Sequence, residues 1–390
     1  MPDSICASRG SFGATRSPRT PRFLRVRPLR IVHTESSLGW GGQEIRILSE
    51  AQGLIRRGHD VKVLCPPQAR IHAEAVNWGV PVVALQIERK GPRGLRALIT
   101  WLRANRCDVV NTHSSTDSWL AALALAILGH PAPIVRTRHI SAPVPRGPLS
   151  RWLYMRAAAR VVTMGEALKR QLVEHNGFSE SRIESVPTGI DPGHFRPGAR
   201  KASRARFGLP QDRTLVGIVA PLRSWKGHAV LLEAMRRLPA DIELVIVGDG
   251  PRREVIEQTL ATLGLRGRVR MQGQQADVLP WLRALDIFVL PSYANEGVPQ
   301  ALVQAMLVEL ACVTTPVGGI PELAEHERTA LLVAPRDASA LAAAIERLAG
   351  DQGLRRELGE AARKRCVEGY SYERMLDRME AIYRNVAAVT

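Results

Sequence analysis

The feature that most constrains this chain is an alternation. Short β-branched runs are followed by helical stretches, over and over, along almost its whole length. Strand-like runs fall at 29–35, 61–65, 80–85, 108–113, 133–139 and 160–164, with helical stretches at 43–57, 93–106, 116–128, 148–158 and 165–175 between them. In 43–57, Ile45, Leu48 and Ile55 share one face and Gly58 stops the helix. Such a rhythm builds βαβ units, and these build parallel sheets covered by helices. The rhythm breaks at 190–211, where Pro, Gly and Arg accumulate without a period and a linker is expected. It resumes with strands at 214–219, 242–247, 269–273, 287–290, 312–314 and 330–333, and helices at 337–349, 353–368 and 371–387 end the chain.

The fold class expected is therefore α/β, with two doubly wound Rossmann-like domains facing a central cleft. The N-terminal domain covers 29–195 and the C-terminal domain 205–370. Residues 371–390 form a helix that packs back toward the N-terminal domain, and 1–28 form a basic, disordered arm. A length of 390 residues suits two domains with separate cores. In doubly wound sheets ligands sit outside the carboxyl ends of the strands, so the cleft between the domains is the expected site.

Charge is the outlier in composition. The chain carries 54 Lys and Arg against 37 Asp and Glu, a net +17. Residues 1–200 hold +15 of this and residues 201–390 only +2. One half is thus expected to meet an anionic partner: nucleic acid, a membrane or a phosphorylated molecule. Nucleic acid is disfavoured, because aromatic residues make up 5% and no recognition-helix, zinc-finger or RRM pattern is present. The cysteines Cys6, Cys65, Cys107, Cys312 and Cys366 form no C-x-x-C pair, which argues against a disulfide framework or structural zinc and for a reducing cytosol. The first thirty residues hold seven Arg but no apolar stretch of a secretory signal, and no run is long enough to span a membrane. A transit peptide, a basic arm and an upstream start stay open for that segment.

Four loops directly follow strands and carry chemistry. Ser37-Leu38-Gly39-Trp40-Gly41-Gly42-Gln43-Glu44 opens a helix with glycines that let backbone amides approach a phosphate. It is neither G-x-G-x-x-G nor a Walker loop, and a plain tight turn fits it as well. Val247-Gly248-Asp249-Gly250-Pro251 has the same ambiguity. Leu222-Arg223-Ser224-Trp225-Lys226-Gly227-His228 places two cations where a pyrophosphate could bind, or forms a solvated basic loop. Pro291 to Gln300 combines a carboxylate, Glu296, with Gly297, Pro299 and a helix start, a set that can hold sugar hydroxyls and phosphate together. Gly318-Gly319-Ile320-Pro321-Glu322 repeats this turn chemistry downstream.

These residues resemble the retaining glycosyltransferases of family 4, of GT-B fold, over about 30–385. The resemblance rests on GGQE at 41–44, VPTGID at 186–191, LRSWKGH at 222–228, VGDGP at 247–251, EGVPQALVQAM at 296–306 and VGGIPEL at 317–323. It implies that the C-terminal domain binds a nucleoside-diphosphate sugar and the N-terminal domain the acceptor. The first carboxylate of the family's E-x7-E motif falls on Glu296, which would hold hydroxyls of the donor sugar. Amides of Gly297, Val298 and Gln300 would face sugar and phosphate. The diphosphate would meet Arg223 and Lys226, with Gly41 and Gly42 closing over it and Gly248 and Gly250 in the same binding set. His113 matches a histidine near the transferred sugar, and His139 is a second candidate.

Two departures stand out. The second Glu of the motif is Gln304, which can exchange hydrogen bonds with ribose but carries no charge. The family's Arg lies five positions before Lys, where this chain has Pro221; Arg223 lies three before Lys226. No D-x-D stands at a strand end, so no metal and no cofactor are expected. The wording of EGVPQALVQAM and HTESSLGWGGQE is similar to transferases of lipopolysaccharide and surface-polysaccharide assembly. That implies a lipid-linked or polysaccharide acceptor and a cytoplasmic enzyme peripheral on the inner face of the membrane. A sugar-nucleotide epimerase on the same architecture is the alternative, and a two-domain small-molecule binding protein a weaker one.

Overall fold

The computed structural model describes residues 27–129 and 132–389. The arm at 1–28 lies outside the described residues except for Arg27 and Pro28, as does Cys6. Two parallel sheets organise the rest. The first contains β1 Arg30–Thr34, β2 Asp60–Cys65, β3 Val82–Ala84, β4 Val109–Thr112, β5 Ile134–Arg138, β6 Ala158–Thr163 and β7 Ile183–Ser185, ordered β3-β2-β1-β4-β5-β6-β7. The second contains β8 Thr214–Val219, β9 Ile242–Val247, β10 Val269–Met271, β11 Ile287–Leu290, β12 Ala311–Thr314 and β13 Leu331–Leu332, ordered β10-β9-β8-β11-β12-β13. The strands carry near-continuous buried runs, such as Ile287–Leu290, because helices cover both faces. This is the doubly wound pair of Rossmann-like domains.

Each sheet reverses its winding once, between β1 and β4 and between β8 and β11. The loops that leave those strands therefore splay apart and open a crevice at their carboxyl ends. In the first domain they are 35–41 and 113–114; in the second, 220–227 and 291–299.

Two elements departed from the alternation. β7 spans three residues and is too short to show a period. The linker contains a helix, Arg200–Arg206, whose docking residue is a buried arginine: Arg204 donates to Asp286 at 2.6 Å and to the carbonyl of Ala284 at 2.9 Å. A charged composition concealed it.

The last helix, Tyr372–Ala387, places Met375, Leu376, Met379, Ile382 and Tyr383 in the core of the first domain. It reaches there beside the linker: Ile190 bridges to Ser371, and a Cβ on Gly189 would lie 2.4 Å from the Ser371 carbonyl oxygen. Both chain crossings between the domains thus share one close contact that only glycine permits. Cys65, Cys107, Cys312 and Cys366 are buried free thiols.

Candidate functional site

On the C-terminal wall, the site is assembled by backbone close-packing. Gly227, at φ +76°, lies so near the Pro291 carbonyl that an added Cβ would stand 2.0 Å from its oxygen. Gly318, at φ +59°, would likewise put a Cβ 2.1 Å from the carbonyl oxygen of Glu296. These contacts lock the loops after β8, β11 and β12 together, and only glycine fits them. The product is a half-buried ion pair. Lys226 Nζ lies 2.6 Å from Glu296 Oε1, which also accepts from Ser292 Oγ at 2.6 Å. Asn295, just before Glu296, is itself in the left-handed region at φ +57°. Arg223 is exposed, with its guanidinium 5.8 Å from the centre of the Trp225 ring. Lys226 and Glu296 are brought together; Arg223 stands apart from them on the same loop.

Gly248 and Gly250 form the tight turn that the sequence left open beside a phosphate role. The Gly248 amide donates to the Gly273 carbonyl at 2.8 Å and the Gly250 amide to Asp249 Oδ1 at 2.7 Å. A Cβ on Gly248 would lie 2.0 Å from the Ala220 carbonyl oxygen. The pair seats the 220–227 loop, with both amides engaged within the protein. The Val298 amide is also engaged, by the carbonyl of Met164 in the other domain at 3.1 Å. Sequence cannot reveal the Gly248 and Val298 contacts, since both depend on what lies across from the loop.

The domains meet over this wall. Gln300 Nε2 donates to the carbonyl of Gly42 at 2.6 Å. Gly297 packs against His139 and Met164. Both Glu322 carboxylate oxygens accept from the first amides of helix Glu166–Asn176, from Glu166 and Ala167, each at 2.7 Å. A carboxylate at a helix N-terminus is favoured by the helix dipole, and here the cap is supplied by the other domain. Gln304 follows Gln300 by one turn on helix Gln300–Leu307 and shares its face, half-buried. Gly41 is the N-cap of helix Gly42–Arg56, and Gly42 is exposed at its start.

The N-terminal wall is built from buried polar side chains. Asp117 closes a capping box with Ser114 and its Oδ2 also accepts from Thr34 Oγ1 and the His113 amide. Glu35 is fully buried, accepts from the Ser37 amide at 2.7 Å and from Gln43, and is pushed up to about 8 by burial, helped by the negative charges of Asp117 and Glu44. His113 does not reach into the cleft as a free ring. Its Nε2 lies 2.9 Å from His33 Nδ1 and its Nδ1 2.9 Å from His139 Nε2. His139 is the half-buried end of that row. All three are held below the usual imidazole range, by burial first; His139 is lowered to about 3, with the charge of Arg46 contributing. They are neutral. Sequence reasoning overlooked His33, and the signal was present: three strands, β1, β4 and β5, each carry a histidine at or just past the carboxyl end. It also overlooked His228, buried beside Lys226 with both ring nitrogens unpartnered. Among the described residues no group of three or more His, Cys, Asp or Glu side chains is placed to hold a metal ion.

Comparison with known proteins assigns both halves. Residues 199–365 match the model for glycosyl transferases group 1, and residues 40–194 the model for glycosyltransferase family 4. A D-inositol 3-phosphate glycosyltransferase of Mycobacterium tuberculosis is 27% identical over 97% of this chain and 85% of the relative. An uncharacterized glycosyltransferase of Methanocaldococcus jannaschii is 24% identical over 88% of this chain and 94% of its own. Among solved structures, Anabaena HepE in complex with UDP-glucose superposes with a TM-score of 0.83 at 20% identity, covering 92% of this chain and all of the other. A glycosyltransferase of Rickettsia africae gives 0.82 at 21% identity, covering 93% and 99%. These structures share the GT-B fold.

Proposed function

Starting from a chain whose two halves make it a GT-B glycosyltransferase of the family 4 type, we propose that it moves a sugar from a nucleoside diphosphate to a lipid-linked or polysaccharide acceptor at an anionic membrane, with retention of anomeric configuration. The observation that carries the reading is the half-buried Lys226–Glu296 pair at the winding reversal of the second sheet, in a loop whose following helix reaches Gly42 of the other domain through Gln300.

In such a transfer the diphosphate leaves as positive charge grows at the anomeric carbon. The leaving oxygens need positive groups already in place. Lys226 has three donors, so it can keep Glu296 and still reach a phosphate. Arg223 adds a forked donor from the same loop, and the N-terminus of helix Gln300–Leu307 adds partial charge. Those groups make a divalent ion at the diphosphate dispensable. Glu296 holds donor hydroxyls, and Gln304 meets the ribose as a neutral partner. Retention follows if the acceptor attacks from the face the diphosphate leaves and gives its proton to the departing phosphate, which needs no protein nucleophile. A sugar-nucleotide epimerase on this fold is not favoured, since both halves match transferases.

Charge distribution supports the membrane. Residues 89–107 and 118–165 contain no Asp or Glu. Helix Pro92–Ala104 exposes Arg93, Arg96 and Arg103 beside an open groove of about 760 Å³. The adjoining helix Ser115–Ile127 exposes Leu123 and Ile127, and Trp119 stacks on Trp152 near exposed Leu149. A basic helix beside an apolar one is the surface that anionic headgroups and interfacial acyl chains both favour. Among the described residues no helix is long and apolar enough to cross a membrane.

The test is a thermal-shift panel of UDP-, GDP- and ADP-sugars. A ligand at 100 times its Kd adds about 2.7 kcal/mol of stability. The responding donor is then incubated with lipid-linked acceptors and the product's anomeric configuration read by NMR. Inversion, or donor conversion that needs no acceptor, would sink the reading.

A further inference from the structure

The three histidines of the N-terminal wall raise a question that the transfer chemistry leaves unanswered. His33 is wholly buried in β1, where no ligand reaches it, and its Nε2 has no partner. Its ring lies parallel to His113, with centroids 5.2 Å apart, and edge-on to Tyr383 of the last helix. Nδ1 of His33 meets Nε2 of His113, and Nδ1 of His113 meets Nε2 of His139, both at 2.9 Å. His139 ends the row at the cleft, with its backbone carbonyl against Gly297.

A neutral imidazole carries one proton, on one of its two nitrogens. Two contacts of this kind therefore admit two arrangements. In one, every ring is protonated on Nδ1, donation runs from His33 to His113 to His139, and His139 offers Nδ1–H. In the other, every ring is protonated on Nε2, donation runs inward, and His139 offers a bare Nδ1. The two differ at the buried end. The first leaves a lone pair on His33 Nε2 without a partner; the second leaves an N–H there. An orphaned buried N–H is the rarer and costlier of these. The surroundings do not charge the row: Arg46 of helix Gly42–Arg56 and Arg136 and Arg138 of β5 oppose protonation, and Glu50 is held by Arg46 and Tyr383.

We propose that His33, His113 and His139 form one tautomeric unit, in which His33 is a positioning residue that makes His139 present Nδ1–H to an oxygen of the transferred sugar. Gly297 marks that partner as the sugar, because its loop is the one that carries Glu296. The inference rests on the transfer reading of the cleft. It gives the row a role in specificity: an oxygen at that point of the sugar is accepted, and a donor group there is refused.

Long-range ¹⁵N–¹H spectra of the histidines in the full-length protein read the tautomers directly. Nδ1 protonation is expected at all three rings, and Nε2 protonation of His139 overturns the proposal. In His33→Leu, His139 is expected to populate both tautomers, and kcat/KM for the donor to fall about tenfold, the loss of one oriented hydrogen bond, with acceptor KM unchanged. His33→Asn, whose amide restores a donor near the Nδ1 position, is expected to recover most of both. An unaltered His139 tautomer and an unaltered kcat/KM in His33→Leu would refute the positioning role. If His33→Leu does not fold, the wild-type spectrum and the Asn variant still decide. Should no sugar nucleotide be turned over at all, the transfer reading fails, while the spectra judge the tautomeric unit on their own.

Discussion

The two walls of the cleft end equivalent parallel sheets in opposite ways. The C-terminal wall is glycine and backbone, with loops pressed together at Gly227, Gly248 and Gly318 until two charged side chains, Lys226 and Glu296, are fixed between them. The N-terminal wall is side chain: a row of neutral histidines, a carboxyl at Glu35 whose ionisation is suppressed, and Asp117 saturated by hydrogen bonds. One wall offers charge and the other offers neutral donors and acceptors. In the proposed transfer a diphosphate belongs on the first, and uncharged hydroxyls suit the second. The net charges of the halves run the other way, and the proposed membrane face would account for the positive excess of the first domain.

Lys226→Ala should break the contrast most severely. Turnover is expected to fall 100-fold or more, about 3–4 kcal/mol of barrier, with the far-UV spectrum unchanged. A variant of near-normal rate would remove charge from the account of that wall. Next is the proposed membrane face. Replacing Arg93, Arg96 and Arg103 together by Gln should cost about 3 kcal/mol of binding to vesicles rich in anionic lipid at low salt, near 1 kcal/mol per residue. Turnover of a water-soluble acceptor should not change. Vesicle sedimentation that ignores both the substitution and the lipid charge would contradict a basic docking face.

Gly318→Ala probes the backbone construction. The left-handed φ and the 2.1 Å approach to the Glu296 carbonyl leave no room for a methyl group. Roughly 2 kcal/mol of stability should be lost to strain, together with donor binding. Donor binding retained in a folded variant would show that the loop lock does not position Glu296.

The effect furthest from the reaction concerns Glu35. Its folded pKa, about 8, lies above its unfolded value of 4.5. The folded state therefore holds an extra proton, and its stabilising contribution is complete below 4.5 and lost as pH rises through 8. Glu35→Gln should flatten the fall in Tm between pH 5 and 8, gaining a few degrees at the alkaline end. An unchanged slope would mean that another group carries the dependence.

The sheets were legible because their strands are covered on both faces: 214–219, 242–247 and 287–290 agree residue for residue with β8, β9 and β11. What escaped was whatever depended on a partner far along the chain. Helix Arg200–Arg206 hides because its buried residues are Ser203 and Arg204, the latter matched to Asp286 more than eighty positions later. Glycine motifs were visible, yet their division of labour was not, since the Gly248 amide is spent on the distant Gly273 carbonyl. His113 was visible as a strand-end histidine; that both its nitrogens are taken by His33 and His139 is a fact of strand order. Glu322 looked like part of a turn and proves to cap a helix of the opposite domain.

The central claim is that the charged wall holds the diphosphate. Calorimetric titration of the free nucleoside diphosphate, whichever base the donor panel selects, tests it without acceptor, membrane or chemistry. Wild type should bind, Lys226→Ala should bind about 100-fold more weakly, and Arg93→Gln, on the proposed membrane face, should match wild type. Equal affinity in wild type and Lys226→Ala would contradict the claim.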